Sequence, residues 1–332
     1  MKISVGVGCF ASLCLLMFGP LHNAQDIPNT TAAEEARAQV RALLGPSLNA
    51  QGIPRMTAAE TERVQVRAVP GKENLYLVPG FGGSSGGNIL FLVTDEGVLV
   101  VDNKFFYSYP EIMTQLRKVT DKDIRYMLNT HHHYDHAGSN TDFLADNIPI
   151  LAHRNVRTNV LRDARNDPEG GPTIIYDKSA TVVLGGQEVN AHYFGRGHTS
   201  GDSVIHFPAL RTIHTGDLVL WGNRLDGSTM SPFFDFDNGG SAADWTATLD
   251  GLLSLDFDTA IPGHGPILTK ADIRVFRGKL DKFMTRIKVL IDNGVERDRI
   301  AEELDIADLN WPMPMGRIEA VYDELTQQKE DI

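Results

Sequence analysis

After residue 74 the chain alternates short apolar runs with turn residues. Apolar runs of four or five residues bounded by turns are typical of β-strands, whereas mixed polar and apolar residues at helical spacing indicate a helix. The segment from Asn74 to Leu128 therefore predicts four strands and one helix. The strands are expected at Leu75–Val78, Ile89–Val93, Val98–Val101 and Ile124–Leu128, and the helix at 110–118.

The same order recurs in the second half of the chain. Strands followed by helices, twice over, predict an α/β fold of four layers, an αβ/βα sandwich with two packed sheets and helices on both outer faces. Helices are expected at 155–165 and 242–255. Strands are expected at Thr181–Leu184, Glu188–Tyr193, Ser203–Phe207, Thr212–His214 and Thr259–Ile261.

Residues 270–332 form a C-terminal extension that is predicted to be largely helical. Its apolar residues recur every three or four positions, which is the spacing of one helix face. We expect this face to pack on the main domain. The periodic residues are Ile273, Phe276, Leu280, Phe283, Ile287, Leu290 and Ile291.

Residues 1–25 are predicted to be a secretory signal peptide. Lys2 supplies the positive end, the apolar run Val5–Phe18 is too short to span a bilayer, and Ala24 is a small residue near the expected cleavage point. Cys9 and Cys14 both lie in this segment, so the mature chain has no thiol for a disulfide or a metal site. We therefore expect a periplasmic or secreted protein with no membrane span after removal of the leader.

A local duplication precedes the main domain. Asn23–Pro28 recurs as Asn49–Pro54, and 15 of 23 aligned positions are identical at an offset of 26 residues. The first copy predicts a helix at 31–44, whereas Val64–Val69 in the second copy alternates like a strand. We interpret residues 26–60 as an N-terminal arm that carries the duplicated segment and residues 61–269 as the main domain.

Charge narrows the range of partners. The formal net charge is −12, or −13 once Lys2 is removed with the leader, and no basic patch interleaved with aromatic residues is present. This argues against nucleic acid as a partner and mildly against anionic membranes. A small-molecule substrate is the remaining expectation, and the sequence does not indicate the oligomeric state.

The segment Thr130–Gly138 contains four metal-capable side chains in six positions. His131 and His133 are two residues apart and point the same way when the backbone is extended, so they can bind one ion. Asp135 and His136 follow directly and can face a second ion. Imidazole and carboxylate groups suit zinc.

Three later motifs add further candidate ligands in tight turns. Gly197–Asp202 contains His198, His214–Asp217 ends in a carboxylate after an apolar segment, and Pro262–Gly265 contains His264. With the first motif, and in this order, they resemble the metallo-β-lactamase fold superfamily of dinuclear zinc hydrolases. The resemblance covers about Asn88 to Leu268.

The resemblance implies a site for two Zn²⁺ per chain. One ion would be held by His131, His133 and His198, and the other by Asp135, His136 and His264, with Asp217 bridging both. Asp102, at the end of a predicted strand, would lie beneath the metals and support their ligands. Asp135 and Asp217 are the residues expected to take part in catalysis.

Other histidines are not expected to bind metal. His132 lies between two ligands and should point away from the ions. His214 belongs to the strand that leads to Asp217. The remaining three, His153, His192 and His206, lie in apolar or alternating runs and are interpreted as structural.

The predicted activity is hydrolysis by an exported enzyme. Two zinc ions about 3.5–4 Å apart lower the pKa of a shared water toward ~7, so a metal-bound hydroxide could cleave an ester, lactone, thioester or cyclic amide. The ligand pattern is closest to glyoxalase II and lactonase-like branches, because zinc β-lactamases usually carry cysteine or serine where Asp217 stands. A β-lactamase remains the main alternative, and a non-catalytic zinc-binding protein a further one.

The sequence says little about substrate contacts. Lys104, Arg196 and Arg224 are the only cations expected near the site, and none is predicted to be a fixed cation of the pocket. Together with the negative charge of Asp217, this leads us to expect faster turnover of neutral lactones or esters than of anionic penicillins and cephalosporins.

Overall fold

The computed structural model describes residues 56–330, with side chains described to residue 327. The predicted signal peptide and the first copy of the duplication lie outside the described residues. The helices are α1 Ala58–Arg63, α2 Tyr109–Arg117, α3 Tyr134–Ala137, α4 Asn140–Ala145, α5 Arg154–Arg162, α6 Ala242–Leu253, α7 Lys270–Asp292, α8 Ile300–Glu303 and α9 Met315–Glu330. None of these helices is both long enough and apolar enough to cross a bilayer.

Seven strands form the first sheet in chain order, from β1 to β7. The first four pair antiparallel, and the pairs from β4 to β7 are parallel. Parallel neighbours need a crossover, and helix α2 lies between β4 and β5 while α5 lies between β6 and β7. The strands are β1 Arg67–Ala68, β2 Leu75–Val78, β3 Ile89–Thr94, β4 Gly97–Val101, β5 Ile124–Leu128, β6 Ile150–His153 and β7 Ile174–Tyr176.

Six strands form the second sheet, in the order β13-β12-β11-β10-β9-β8. Only β11 and β12 are parallel. These two strands therefore end at the same edge of the sheet. The strands are β8 Ser179–Leu184, β9 Gln187–His192, β10 Val204–Phe207, β11 Thr212–His214, β12 Thr259–Ile261 and β13 Leu268–Thr269.

The two sheets pack face to face, and each is covered on its outer side. Leu90 lies opposite Val101 and Leu77, and all three belong to the core between the sheets. Their neighbours Ile89 and Phe91 point outward and pack under α2 and α4. Because both faces are buried, the strands carry continuous apolar runs. Two mixed sheets with helices confirm the predicted α/β fold class.

The N-terminal border of the main domain differs from the prediction. A strand was expected over Val64–Val69, but the extended part is only β1, and helix α1 precedes it. Thr57 and Glu60 form a capping box that starts this helix. The chain between α1 and β1 is held by α2, because Gln115 accepts a hydrogen bond from Val66 N at 2.9 Å.

The C-terminal helices complete the outer face of the second sheet. Helix α7 is continuous over Lys270–Asp292 and buries Phe276, Leu280 and Phe283 in the same cluster as Trp245 of α6. Helix α9 adds Val321 to that cluster. This cluster is one core shared by the sheet, α6 and the C-terminal extension.

We predict that Leu280→Ala destabilises the protein by about 2–5 kcal/mol, because the Leu280 side chain is fully buried and its removal leaves a cavity. Val289→Ala on the same helix is the matched control. The Val289 side chain is 51% exposed, so its truncation should change stability by less than about 0.5 kcal/mol. Urea unfolding followed by circular dichroism measures both. Equal midpoints and slopes for the two variants would contradict the packing of α7 in the core.

Candidate metal centre

The ends of several strands bring the predicted ligands to one edge of the sandwich. Strand β5 leads into His131–His133 and then into α3, which carries Asp135 and His136. Strands β11 and β12 run in parallel, so the segments that follow them, with Asp217 and His264, lie side by side. A parallel bridge between Leu220 and His264 ties these two segments together.

The first group of ligand atoms comes from three histidines and one carboxylate. His133 Nδ1 lies 2.8 Å from His198 Nε2. Asp217 Oδ2 lies 3.5 Å from His198 Nε2 and 3.9 Å from His131 Nε2. All four side chains are buried and can place one ligand atom each within 4.8 Å of the others.

The second group lies on the other side of the same carboxylate. Asp217 Oδ1 is 3.2 Å from His136 Nε2 and 3.4 Å from His264 Nε2. Asp135 Oδ2 is 3.4 Å from His264 Nε2. The structure thus brings all seven predicted ligands together, with one oxygen of Asp217 facing each group.

Hydrogen bonds on the outer ring nitrogens fix the tautomers of the histidines. His198 Nδ1 lies 2.6 Å from the carbonyl oxygen of Phe233, and His264 Nδ1 lies 3.0 Å from that of Gly86. A carbonyl oxygen can only accept, so both Nδ1 atoms donate. The Nε2 atoms that face the centre are then free to act as ligands.

Carboxylates hold two more of the rings. His136 Nδ1 donates to Asp102 Oδ2 at 2.8 Å, and His133 Nε2 donates to Asp235 Oδ2 at 2.6 Å. Asp102 also accepts from Thr130 N and Thr130 Oγ1, at 2.8 and 2.7 Å. Asp102 therefore lies beneath the site as a support for His136, and Asp235 supports His133 from the side.

The inward-facing atoms fit a cation. Unprotonated ring nitrogens of His133 and His198 face each other, and their lone pairs repel unless a positive charge lies among them. Within the described residues, His131 Nε2 and Asp217 Oδ1 are buried and have no hydrogen-bond partner. Buried polar atoms without partners are costly, and coordination of a metal would satisfy both.

The pKa shifts of the site histidines also favour a bound metal ion. Burial holds the pKa values of His131 and His133 well below their usual range, so both rings are neutral and able to coordinate. Burial also acts to lower the pKa of His136, but Asp217 and Asp135 outweigh it and raise that pKa well above its usual value. The carboxylates that stabilise a proton on His136 would equally stabilise a metal ion.

His132 points to a different cluster. Its side chain is fully buried, and its Nε2 lies 3.5 Å from Asp163 Oδ2 and 3.8 Å from Asp235 Oδ2. Arg165 donates to Asp163 at 2.5 Å and lies 3.8 Å from Asp235. The guanidinium supplies the positive charge of this cluster, so we interpret it as a support for the ligands and not as a further metal site.

Three of the other non-ligand histidines, His214, His153 and His206, make structural hydrogen bonds. His214 accepts from Gly216 N through Nδ1 and donates from Nε2 to the carbonyl of Asn88, at 3.1 and 3.2 Å. His153 caps helix α5. His206 Nε2 lies 3.1 Å from the carbonyl of Asp256, and the His192 ring packs near His206.

Two glycines allow the backbone to approach the ligands closely. A Cβ at Gly263 would lie 1.8 Å from Asp217 Oδ1, and one at Gly87 would lie 2.2 Å from Cε1 of His136. Any side chain at either position would displace a ligand.

A cavity of about 210 Å³ opens onto the centre, and its lining corrects the prediction about cations. Arg224 lines it as one of the three expected candidates, but Lys104 and Arg196 do not. Lys104 Nζ is buried behind the glycine-rich segment Gly80–Gly87, where it donates to the carbonyl of Pro79 at 2.9 Å, and burial lowers its pKa to about 7. Arg196 pairs with Asp244 outside the cavity.

Arg165 and Arg317 also line the cavity, and the sequence analysis missed both. Arg165 precedes the second group of strands and carries no motif. Arg317 lies in α9, one hundred residues after Asp217, in a segment whose pattern indicated only packing. The lining residues are Gly82, Gly83, His133, Tyr134, Asp135, Arg165, His198, Asp217, Leu220, Arg224, Met230, Ser231, Phe233, His264 and Arg317.

Comparisons with known sequences agree with this geometry. Residues 82–264 match the sequence model of the Metallo-beta-lactamase superfamily. The 2,4-dinitroanisole O-demethylase subunit alpha of Nocardioides sp. (strain JS1661) is 27% identical over 238 residues, 69% of this chain and 68% of that protein. Metallo-beta-lactamase IND-1 of Chryseobacterium indologenes is 28% identical over 162 residues, which cover 47% of this chain and 66% of that protein.

Solved structures show the same fold. A metallo-beta-lactamase from Pontibacter korlensis superimposes with a TM-score of 0.56 at 16% identity and covers 65% of this chain and 99% of that one. The DIM-1 metallo-beta-lactamase gives 0.53 at 21% identity, with 66% and 98% covered. Since more than half of the chain matches the family and the site carries its histidine and aspartate groups, this protein belongs to the metallo-β-lactamase superfamily and is a metal-dependent hydrolase.

Proposed function

We propose that the protein is an exported dinuclear zinc hydrolase that cleaves an ester, lactone, thioester or cyclic amide. The observation that carries the proposal is the Asp217 carboxylate, whose two oxygens face two separate groups of histidines at the base of one cavity. Donors on both sides of one bridging carboxylate are the arrangement that two neighbouring metal ions require.

Zinc is the metal that this donor set favours. Neutral imidazole nitrogens suit zinc, and the only cysteines of the chain, Cys9 and Cys14, lie far before the site in sequence. When bound, two zinc ions would polarise a carbonyl group and lower the pKa of a water toward ~7. The residues would divide as the sequence predicted, with His131, His133 and His198 on one side of Asp217 and the other three ligands on its far side.

Asp135 is the side chain best placed to move a proton. It lines the cavity, keeps 19% of its side chain exposed and lies beside His264. From this position it can accept a proton from the attacking water and later deliver one to the leaving group. Asp217 is too buried and too surrounded by histidines to exchange protons with substrate, so its part is to hold the two groups of ligands at a fixed spacing.

Aromatic residues shape the entrance to the site. Phe233 and Tyr134 both line the cavity, with 36% and 41% of their surfaces exposed. The Phe233 ring lies 6.0 Å from the ring of His133 and 5.6 Å from that of His198. An apolar part of the substrate would pack here and keep water away from the cleaved bond.

A β-lactamase is the second candidate. It is supported by the names of relatives such as IND-1 and by the arginines of the cavity, which can bind the carboxylate of a penicillin or cephalosporin. Asp217 argues for an ester or lactone substrate, because zinc β-lactamases usually carry cysteine or serine at this position. A non-catalytic zinc-binding protein is disfavoured by the complete set of ligands around an open cavity.

We predict close to two zinc equivalents per chain and complete loss of hydrolysis after chelation. Asp217→Asn should lower the bound zinc to about one equivalent or less and reduce kcat/KM by at least about a hundredfold, because the bridge holds both groups together. Asp244→Asn, at an exposed ion pair with Arg196, is the matched control and should keep both metals. Elemental analysis of dialysed protein gives the metal content. Two equivalents and unchanged turnover in Asp217→Asn would refute the bridging role.

For the substrate, we predict that an aryl ester, a lactone or a thioester is hydrolysed with kcat/KM above about 10⁴ M⁻¹s⁻¹, and faster than a chromogenic cephalosporin. The panel should include 4-nitrophenyl acetate, a homoserine lactone, S-lactoylglutathione and nitrocefin, and also 2,4-dinitroanisole in view of the named relative. Absorbance or acid release measures each rate. Efficient cleavage of the cephalosporin alone would reverse the order in favour of a β-lactamase.

Export is predicted from residues 1–25. With the native leader, a bacterial host should carry chelator-sensitive hydrolase activity in its periplasmic fraction. A chain lacking these residues should leave that activity with the spheroplasts, because no apolar leader directs it outward. Fractionation with a cytoplasmic marker enzyme checks both. Full-length protein that stays with the cytoplasmic marker would contradict export.

A further inference from the structure

Arg224 and Arg317 line the cavity without an ion-pair partner. In the part of the chain that the structure describes, no carboxylate oxygen lies within 4.0 Å of either guanidinium. The third cavity arginine differs, since Arg165 is paired with Asp163 at 2.5 Å. Two unpaired positive charges in one cavity beside the metal centre therefore need a separate explanation.

Arg317 is held in place by neutral contacts. Its Nη1 donates to the carbonyl of Pro232 at 2.9 Å, and its guanidinium carbon lies 4.7 Å from the centre of the Phe233 ring. The same Phe233 ring lies 6.0 Å from the ring of His133 and 5.6 Å from that of His198. The Phe233 ring is thus a shared neighbour of Arg317 and of the ligands His133 and His198. The Arg317 guanidinium keeps further N–H donors that can bind another partner.

Arg224 lies on the other side of the cavity, next to the second group of ligands. Its Nε and the Nδ1 of His264 lie 3.6 and 3.8 Å from the same point, the position of a Cβ on Gly82. Among the described residues, the Arg224 guanidinium makes one hydrogen bond, a long one of 3.4 Å from Nη1 to the carbonyl oxygen of Thr229. Asp226 is the nearest acid in sequence, and its pKa is lowered first by hydrogen bonds from Ser228 at 2.6 and 2.9 Å and then by the charge of Arg224, but no oxygen of Asp226 lies within 4.0 Å of the Arg224 guanidinium.

The positive charges of Arg224 and Arg317 repel each other. Burial and the positive charge of Arg224 lower the pKa of Arg317 to about 10, so Arg317 remains charged at neutral pH. Like charges in a partly buried cavity raise the free energy of the protein, and an anion between them removes that cost. A planar guanidinium matches the two oxygens of a carboxylate or sulfonate.

We propose that Arg224 and Arg317 form a subsite that binds an oxyanion, a carboxylate or sulfonate of the substrate that is separate from the bond being cleaved. This inference rests on the proposed hydrolase function and specifies its substrate as a charged molecule, such as the half-ester of a dicarboxylic acid. Arg317 lies outside residues 82–264 that match the family, so the C-terminal extension completes the active site of this chain.

Binding of a non-reactive anion tests the subsite without any turnover. Benzenesulfonate carries the oxyanion and coordinates metals weakly, and methyl phenyl sulfone is its uncharged analogue. Calorimetry on the metal-loaded full-length protein should show that the sulfonate binds at least about tenfold more tightly than the sulfone. Arg317→Gln and Arg224→Gln should each remove that preference. Arg277→Gln, which breaks a surface pair with Asp250, should retain it. Arg317→Lys, which keeps the charge, should retain part of it.

Equal affinities for the two probes in the native protein would overturn the proposal. So would an unchanged preference in both glutamine variants when their melting temperatures match that of Arg277→Gln. If a glutamine variant fails to fold, Arg317→Lys and the salt dependence of sulfonate binding decide instead. Binding that does not weaken between 50 and 500 mM NaCl would count against the subsite, because added chloride competes with the sulfonate for the two arginines and screens its approach to the cavity.

Paired esters then connect the subsite to catalysis. Mono-4-nitrophenyl glutarate keeps a free carboxylate, and 4-nitrophenyl acetate does not. The native enzyme should prefer the glutarate in kcat/KM, mainly through a lower KM, and the ratio of the two values should fall about tenfold in Arg317→Gln but not in Arg277→Gln. If neither ester is hydrolysed, the esterase form of the proposed function fails while the binding experiment still decides the subsite. An unchanged ratio in Arg317→Gln would overturn the assignment of the substrate anion to this pair.

Discussion

A single carboxylate organises the centre of this protein. Asp217 is nearly buried, and burial alone would raise its pKa, yet His264 and His136 hold that pKa well below its usual range. The Asp217 carboxylate has room for this position because residue 263 is glycine, since a Cβ there would lie 1.8 Å from Oδ1. The parallel pairing of β11 and β12 sets this approach, since it places the turn with His264 directly beside the turn with Asp217. The sheet thereby determines the geometry of the site.

The fold and the ligands could be predicted because their signals are local. Val98–Val101 or Ile124–Leu128 are apolar whatever they pair with, and the continuous runs reflect burial on both faces of a sheet. His131, His133 and His136 fall within six residues, so their chemistry is visible without any tertiary information. The strands β6 and β7 were not predicted, although the similarly short β11 and β12 were. Their pairing partners, and not their composition, make them strands.

What could not be predicted is what depends on residues far apart in sequence. Asp235 orients His133 from 102 positions away, and Arg317 enters the cavity from a helix that shows only a packing pattern. The expectation that the pocket lacks a fixed cation was wrong for this reason. The net charge of the chain is also a poor guide to which substrates enter the cavity. The chain carries a formal charge of −12, but screened surface charge acts weakly at a distance, whereas two unpaired guanidinium groups act directly on whatever enters the cavity.

The C-terminal helices link stability to specificity. Arg317 is in place because α9 packs Ile318 and Val321 against the same core as Trp245, and that ring in turn lies 6.2 Å from the ring of His198. Burying five imidazoles and the carboxylates between them is unfavourable unless each outer nitrogen has a partner and each inner one a cation. The outer partners Asp102, Asp235 and the Phe233 carbonyl are supplied by the folded chain. The inner partner must come from solution, so folding to this structure and binding of metal are thermodynamically linked through the same rings.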